Sequence, residues 1–148
     1  MEGELNPAID AVDISSAKVR RPGKDVTVVT YGGSLFKSLE AAAALAQDGI
    51  EAEVIDLRTL RPLDMATVVA SVAKTRRAVV VDEGWKSGSI SAEIGMRLVE
   101  QAFFELDAPI RRVCSVEVPM PYAAHLEQAA LPQPAVIAAT ARSLVRPA

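Results

Sequence analysis

Cysteine, histidine and aromatic residues are scarce in this chain of 148 residues. The single cysteine, Cys114, excludes an internal disulfide framework and is typical of a reducing compartment. The single histidine, His125, excludes the histidine clusters that hold many metal ions. Aromatic residues make up only 4% of the chain, so the core must be built mainly from Ala, Val, Leu and Ile.

Strong charge of one sign and long apolar runs are also lacking. A net charge of -3 and a pI near 5.2 exclude the basic surface that nucleic acids and anionic membranes require. No stretch reaches the roughly 18 apolar residues that cross a bilayer. The acidic N-terminus lacks the pattern of a signal peptide. These features predict a globular, cytoplasmic domain with no nucleic-acid or membrane partner.

Strands alternate with helices along the chain. Nearly continuous β-branched and apolar runs predict buried strands at 26–30, 52–57, 78–82 and 110–116. Helical patterns lie between and after them, at 35–47, 65–73, 90–104, 123–130 and 135–145. A short alternating stretch at 17–20 precedes the Pro22-Gly23 turn, which predicts a hairpin between an antiparallel edge strand and the first buried strand.

This order of elements predicts an α/β fold of three layers. Strands joined through helices form a parallel sheet with helices on both faces. We therefore expect a five-stranded, mostly parallel sheet with one antiparallel edge strand. Residues 1–15 are polar and acidic, and we expect a flexible arm or linker there. Residues 16–148 then form the single domain.

Helix ends carry recognisable signals. Ser34 is the predicted N-cap of the first helix and Gly49 its predicted C-terminal stop. Asp64 is the predicted N-cap of the second helix. In the third helix, Ile90, Ile94, Leu98 and Phe103 approximate helical spacing.

The turn Tyr31-Gly32-Gly33-Ser34 joins a strand to a helix, where backbone N–H groups can hold a phosphate. It lacks the glycine spacing and the lysine of the known phosphate-binding loops. A tight turn with a helix cap is the simpler interpretation.

Asp82 and Glu83 end the third buried strand, at the edge where open α/β sheets bind ligands. Paired carboxylates could perform acid–base chemistry. A solvated loop or an interface is the alternative, because no third polar partner is visible nearby. Trp85 is the only tryptophan and is suited to anchor an interface.

The remaining polar residues suggest no catalytic constellation. Cys114 and His125 could form a nucleophilic pair only if the fold brought them together. Arg58 and Arg61 could clamp a carboxylate, although pairing with Asp56 or Asp64 is the simpler expectation. We predict no catalytic, cofactor-binding or metal-binding residue. The candidate interface residues are Glu83, Trp85, Tyr122 and His125.

Five segments together resemble one family. DVTVVTYG (25–32), VIDLRTLRPLD (54–64) and DEGW (82–85) are similar to the transketolase C-terminal domain. VPMPYAA (118–124) and LEQAALP (126–132) resemble the beta subunit of the first component of pyruvate dehydrogenase, a 2-oxoacid dehydrogenase. The proline-rich segment tends to differ in the branched-chain and acetoin relatives. The resemblance covers roughly 17–145.

The resemblance implies a parent enzyme that decarboxylates a 2-oxoacid, most simply pyruvate, and acylates lipoyl groups. In that family an N-terminal half of the beta subunit and an alpha subunit bind thiamine diphosphate and magnesium. No cofactor is therefore expected in this domain, which should be inactive alone. The implied partners are the alpha subunit, the N-terminal half of the beta subunit and the subunit-binding domain of the acyltransferase core. An excised fragment or a split gene would explain the short chain.

Other interpretations stay open at this point. The chain could be a non-catalytic interaction module, or the C-terminal domain of a transketolase or deoxyxylulose-phosphate synthase. It could also be a free-standing, flavodoxin-like nucleotide-binding domain that uses residues 31–34. Apolar surface left without partners would favour self-association, so we also expect a homodimer.

Overall fold

The computed structural model describes residues 13–146. These residues form five strands, five α-helices and one short 3₁₀ helix. The strands are β1 (Lys18–Arg21), β2 (Val26–Thr30), β3 (Ala52–Asp56), β4 (Ala78–Trp85) and β5 (Arg111–Ser115). The helices are α1 (Ser34–Gln47), α2 (Met65–Thr75), α3 (Ile90–Ala102), α4 (Ala124–Ala130) and α5 (Pro134–Val145), with the 3₁₀ turn at Phe103–Glu105.

The strands form one sheet in the order β1-β3-β2-β4-β5. The pairs β2–β3, β2–β4 and β4–β5 are parallel, and β1 runs antiparallel to β3 at one edge. The predicted α/β fold with a mostly parallel five-stranded sheet and one antiparallel edge strand is confirmed.

The predicted hairpin is wrong. β1 pairs with β3, with Lys18 opposite Asp56, and not with β2. The chain leaves β1, passes the beginning of β3 and enters β2 on the other side. Lys24 and Asp25 donate their backbone N–H groups to the carbonyl of Glu51 at 2.9 and 3.0 Å, which holds this crossing in place. A turn signal reports a change of direction, but the pairing partner depends on which strands the core brings together.

Each face of the sheet has its own apolar core. One core contains Val28, Val54 and Val81 from the sheet, covered by α1 and α5. The other contains Val29, Ile55 and Val80, covered by α2 and α3. Buried strands with apolar residues on both sides are typical of a parallel sheet between two helical layers. Helices cover both faces, as expected.

The helix ends agree with two of the three predicted signals. Gly49 follows α1 with a positive φ of 72°, as a C-terminal stop requires. Asp64 caps α2 and accepts from the backbone N–H of Thr67 at 3.1 Å. Ser34 is not an N-cap, because Gly33 occupies that position and Ser34 is the first residue of the helix. Its hydroxyl is used elsewhere, as described below.

Several boundaries differ from expectation. β4 continues past Asp82 to Trp85 through a bulge, so the predicted loop begins later. α3 ends at Ala102, and the 3₁₀ turn places Phe103 outside the core, with 59% of its surface exposed. Most of the predicted arm, residues 1–12, lies outside the described residues. No helix in the described part of the chain is long and apolar enough to cross a membrane.

Candidate functional site

The carboxyl ends of the parallel strands meet at one edge of the sheet. Tyr31 follows β2, Asp82 and Glu83 lie near the end of β4, and Ser115 ends β5. Ligands of open α/β sheets bind at such an edge. This edge is therefore the place to look for chemistry.

Asp82 is the most enclosed polar group there, with only 1% of its surface exposed. Its carboxylate accepts from the Tyr31 hydroxyl at 2.6 Å, the Gly84 N–H at 2.7 Å and the Ser91 N–H at 3.0 Å. Burial opposes ionisation, but these hydrogen bonds outweigh it and lower the pKa of Asp82. Burial and the Asp82 carboxylate also raise the pKa of the Tyr31 hydroxyl above its usual range. At neutral pH, Asp82 is therefore ionised and Tyr31 keeps its proton, as in a structural hydrogen bond.

Glu83 supports the neighbouring turn. Its carboxylate accepts from the Ser34 hydroxyl at 3.0 Å, and its carbonyl accepts from the Ser115 hydroxyl at 2.7 Å. A Cβ built on Gly33 would lie 2.9 Å from the same carboxylate. The turn that could have received a phosphate therefore faces an acidic side chain of the protein itself. An anion there would meet a like charge, which favours the tight-turn interpretation.

Three of the sequence-predicted interface residues are exposed. Trp85 is 49% exposed, and its indole N–H donates to the Val118 carbonyl at 3.2 Å. That bond connects the end of β4 with the proline-rich segment that precedes α4. Tyr122 is fully exposed in this segment, and His125 is exposed on α4. Glu83 is only partly exposed.

The remaining sequence-predicted groups are not brought together. Cys114 contacts the Ser91 hydroxyl at 3.4 Å, and among residues 13–146 no hydrogen bond joins it to His125. The expected side-chain pairing of Arg58 or Arg61 with Asp56 or Asp64 is wrong.

Arg58, Asp56 and Asp64 each have other partners in the structure. Arg58 has a positive φ of 61°, and its guanidinium donates to the Asp13 carbonyl at 2.9 Å. Asp56 instead forms an ion pair with Arg20 at 2.8 Å. Asp64 accepts from the Ala17 N–H at 2.9 Å in addition to capping α2. Arg20 lies on β1, so this pairing depends on the strand order that the sequence pattern misassigned.

The donor groups at this edge do not fit a diphosphate-bound magnesium ion. Within residues 13–146, no three His, Cys, Asp or Glu side chains come together in a way that could hold a metal. The Asp82 carboxylate is enclosed by three donors. Among the described residues, no Lys or Arg forms an ion pair with Glu83.

An apolar groove on α3 was missed by sequence reasoning. Met96 and Val99 on the outer side of the helix are 54% and 39% exposed. Phe103 and Phe104 follow at 59% and 90% exposure, and their rings pack edge to face with centroids 5.4 Å apart. These four residues line one groove, which we call the α3 groove. The sequence signal that could have revealed the groove is a second apolar stripe on α3, formed by Met96 and Val99 beside the buried Ile94 and Leu98.

Comparison with known families matches residues 15–137 with the transketolase C-terminal domain. The chain belongs to this family. The match spans the whole sheet and the beginning of α5, including the end of β4 at Trp85 and the proline-rich segment that Trp85 contacts. It confirms the resemblance carried by 25–32, 54–64 and 82–85.

Curated relatives refine the family assignment. The chain is 56% identical over 123 residues to the mitochondrial pyruvate dehydrogenase E1 component subunit beta of Drosophila melanogaster, covering 82% of this chain and 34% of that protein. It is 46% identical over 146 residues to the acetoin:2,6-dichlorophenolindophenol oxidoreductase subunit beta of Cupriavidus necator, covering 99% of this chain and 43% of that protein. The chain thus spans between a third and a half of the length of these relatives.

A solved structure supports the fold. A split-gene transketolase, described as an inactive beta4 tetramer, superposes with a TM-score of 0.80 at 26% identity and covers 96% of this chain and 46% of that chain. A 2-oxoglutarate:ferredoxin oxidoreductase from Magnetococcus marinus superposes with a TM-score of 0.55 at 16% identity, covering 88% and 19%, and supports the fold alone.

The cytoplasmic expectation is corrected by these relatives. The Drosophila melanogaster and Dictyostelium discoideum proteins are both described as mitochondrial. The physical reason for the error is simple. A low cysteine content indicates a reducing environment, but it does not distinguish one reducing compartment from another.

Proposed function

We propose that this domain serves subunit assembly in a thiamine-diphosphate-dependent 2-oxoacid dehydrogenase whose substrate is pyruvate. The observation that carries the proposal is the contrast at the carboxyl edge of the sheet. The carboxylates there are satisfied by the protein's own donors, whereas Trp85, two residues after Glu83, is exposed. Tyr122 is exposed in the segment to which the Trp85 indole binds. Large exposed apolar groups beside a rigid polar cluster favour a contact surface over a catalytic centre.

In this proposal the parent enzyme decarboxylates pyruvate and transfers the acyl group to a lipoyl group. Thiamine diphosphate, held with magnesium by other chains or domains, supplies the carbanion chemistry when bound. This domain contributes a scaffold to that assembly. Relatives described as pyruvate dehydrogenase E1 beta subunits at 52% and 56% identity support pyruvate over other 2-oxoacids.

The proposed partners are the alpha subunit, the N-terminal half of the beta subunit and the subunit-binding domain of the acyltransferase. Trp85, Tyr122 and His125 are the proposed contact residues. Glu83 lies at the inner margin of this surface, where its bond with Ser34 would stiffen the end of β4. The Trp85 bond to Val118 would hold the proline-rich segment in a fixed position for docking.

A reconstitution experiment tests this proposal. The chain is assayed for thiamine-diphosphate binding and pyruvate decarboxylation, first alone and then mixed with a candidate alpha subunit and the cofactor-binding half of a related beta subunit. We expect neither binding nor activity alone, and activity after mixing. Trp85→Ala should reduce the restored activity about tenfold or more, because tryptophan truncation at an interface costs about 2 kcal/mol. Val19→Ala, on the edge strand β1, is the matched control and should give the same restored activity as the unchanged chain.

Two results would argue against the proposal. Cofactor binding by the isolated chain would place the cofactor site in this domain. Full reconstitution with Trp85→Ala would remove the predicted surface from the assembly. Circular dichroism of each variant separates a lost contact from a lost fold.

The split-gene transketolase favours a second candidate. That protein covers nearly the whole chain at a TM-score of 0.80, so this domain could instead complete a transketolase. The two candidates differ in substrate, since a transketolase moves a ketol group between sugar phosphates. Reconstituted mixtures supplied with either pyruvate or a sugar phosphate distinguish them. The lower identity of 26% makes this the weaker candidate.

We also propose that the isolated chain forms a homodimer through the α3 groove. Phe104 projects from the surface while Met96 and Val99 line the adjoining groove, so one face offers both a protrusion and a hollow. A twofold contact requires this kind of self-complementary face. The split-gene transketolase, itself an assembly of beta chains, supports association between copies.

A further inference from the structure

We propose that the outer edge of β5 binds an extended acidic peptide, which adds to the sheet as a sixth strand. This surface goes beyond the proposed assembly function, because it uses neither the Trp85 surface nor the projecting phenylalanines of the α3 groove. Three features of the described residues support this: an open strand edge, a groove along it, and an excess of positive charge.

The open edge is a consequence of strand order. β5 is the last strand of the sheet, and among residues 13–146 it pairs with β4 alone. Its outward N–H and C=O groups are therefore available to another strand. Addition of an extended peptide to such an edge is an established way of recognising peptides, with affinity from main-chain hydrogen bonds and specificity from side chains.

A groove follows this edge, with α5 along one of its walls. Two adjoining hollows share Lys86, Arg112 and Thr140 in their walls. α5 contributes Val136 to one hollow and Ser143 to the other. A strand laid along β5 would therefore place alternate side chains over a wall that carries both hydroxyl and apolar groups.

Positive charge is concentrated here and is only partly neutralised by the protein itself. Lys86, Arg111 and Arg112 form no ion pair within residues 13–146. Among the described residues that line the groove, the one acidic side chain is Glu117, which accepts from the Ser87 N–H and hydroxyl at 2.9 Å each. These hydrogen bonds and the charge of Lys86 lower the pKa of Glu117, so Lys86 is partly offset, while Arg111 and Arg112 have no acidic partner within residues 13–146. In a chain with a net charge of -3, this edge is thus a local positive site. It is complementary to carboxylates.

The two faces of the edge both present a cation. Val113 points into the core beneath α1 and α5, so Arg111, two residues earlier, lies on that same face. Arg112 lies on the opposite face and donates to the Lys86 carbonyl at 2.7 Å. An acidic strand could therefore pair with charge on either side of the sheet.

Charged side chains on an edge strand can also serve to prevent aggregation. In the part of the chain that the structure describes, the opposite edge strand, β1, has fewer unpaired cations than β5. On β1, Arg20 pairs with Asp56 and Arg21 pairs with Glu51, at 2.8 and 3.0 Å. Only Lys18 on that strand is left without an ion pair in the described residues. A second copy of the chain on β5 would bring two positive edges together, which costs free energy. An acidic partner is favoured over self-pairing.

Fluorescence anisotropy with the full chain tests the proposal. The probe is a labelled peptide of about seven residues, a typical strand length, in which glutamate alternates with threonine. We expect binding that the double variant Lys86→Glu, Arg111→Glu weakens about tenfold or more, because charge at the contact is reversed. Lys18→Glu is the matched control on the opposite edge strand and should change Kd less than about twofold. Amide hydrogen exchange at residues 111–115 should slow when the peptide is bound.

A second peptide separates strand addition from charge attraction alone. It has the same sequence but carries N-methyl groups on alternate amides, so it keeps its charge and loses backbone donors. We expect it to bind at least about tenfold more weakly. Equal binding of the two peptides, or an equal effect of Lys18→Glu, would overturn the proposal. Absence of binding would also overturn it. If exchange at 111–115 slowed with rising protein concentration in the absence of peptide, the occupant of this edge would be a second copy of the chain, which would overturn it as well. The assay needs no other subunit, so its outcome is independent of reconstitution.

Discussion

At the scale of single residues, Asp82 is a buried carboxylate that joins three parts of the chain. It accepts from Tyr31 after β2, from Gly84 in the bulge of β4 and from Ser91 at the start of α3. A buried donor left without a partner costs about 1–3 kcal/mol. Asp82 therefore stabilises the geometry of the carboxyl edge, although its position had suggested acid–base chemistry.

We expect Asp82→Asn to lower the free energy of unfolding by about 2 kcal/mol at pH 7, because the amide cannot accept from all three donors. The pKa of Asp82 is lowered in the folded protein, so its stabilisation is present above the ordinary carboxyl pKa of about 4. It is lost as the pH falls through the lower, folded-state pKa. The difference between the two proteins should therefore shrink towards pH 2, in urea unfolding measured from about pH 7 to 2.

Glu93→Gln is the control for this prediction. Glu93 forms an exposed ion pair with Arg97 one helical turn away on α3, and such pairs contribute less than about 1 kcal/mol. Its unfolding curves should follow those of the unchanged protein at every pH. Parallel pH profiles for Asp82→Asn and the unchanged protein would contradict the structural role of the carboxylate. Glu53 and Asp64, whose pKa values are also lowered, add to the acid sensitivity of both proteins.

At the scale of elements, the crossing from β1 to β2 decides the topology of the sheet. Gly23 lies in this crossing, packed against the backbone at the start of β3. A Cβ at this position would lie 2.2 Å from the Glu53 nitrogen and 2.3 Å from the Ala52 carbonyl carbon. The strand cannot move away easily, because the Lys24 and Asp25 N–H groups bind the Glu51 carbonyl in the same place.

Gly23→Ala should therefore destabilise the protein by about 3 kcal/mol, since overpacking against a backbone forces a shift of the strand. Chemical denaturation with circular dichroism measures this. Gly95→Ala is the matched control: it lies in α3 with nothing within 4 Å of the added Cβ. That change should be neutral or stabilise by up to about 1 kcal/mol, because alanine favours the helix. If the two substitutions had equal effects, the close approach at Gly23 would be refuted.

At the scale of the whole molecule, unpartnered surface is the dominant feature. The α3 groove and the Trp85 surface expose large apolar groups that a monomeric domain would normally cover. α3 shows how this arises. Ile94 and Leu98 fill the core, while Met96 and Val99 form a second apolar stripe on the outer side of the same helix.

We expect the isolated chain to sediment as a dimer at micromolar concentration, and Phe104→Asp to shift it to monomer. A charge placed in the centre of an apolar contact would be buried without a partner. Phe36→Asp, a change of an exposed phenylalanine outside the groove, is the control and should leave the dimer intact. A monodisperse monomer of the unchanged chain in analytical ultracentrifugation would contradict the homodimer.

The local pattern of residues was sufficient for much of the fold. β-branched runs predicted β2 and β3, and Gly49 and Asp64 predicted helix ends, because these signals act over a few neighbouring residues. The five segments that resemble the family also supported the family assignment, since they occur along the chain in the order typical of that family. The candidate contact residues Trp85 and Tyr122 were selected by rarity and position, and their role stays a prediction.

The contacts between distant segments depend on tertiary packing. It placed β1 beside β3, joined Asp82 to Tyr31 and Ser91, and brought Glu83 to the turn at Ser34. None of these contacts leaves a trace in neighbouring residues, because each depends on strand order and on the burial that follows from it. Local patterns of residues specify which segments become strands and helices. The packing of the two cores determined which carboxylates are enclosed and which strand edge and helix face stay open to a partner.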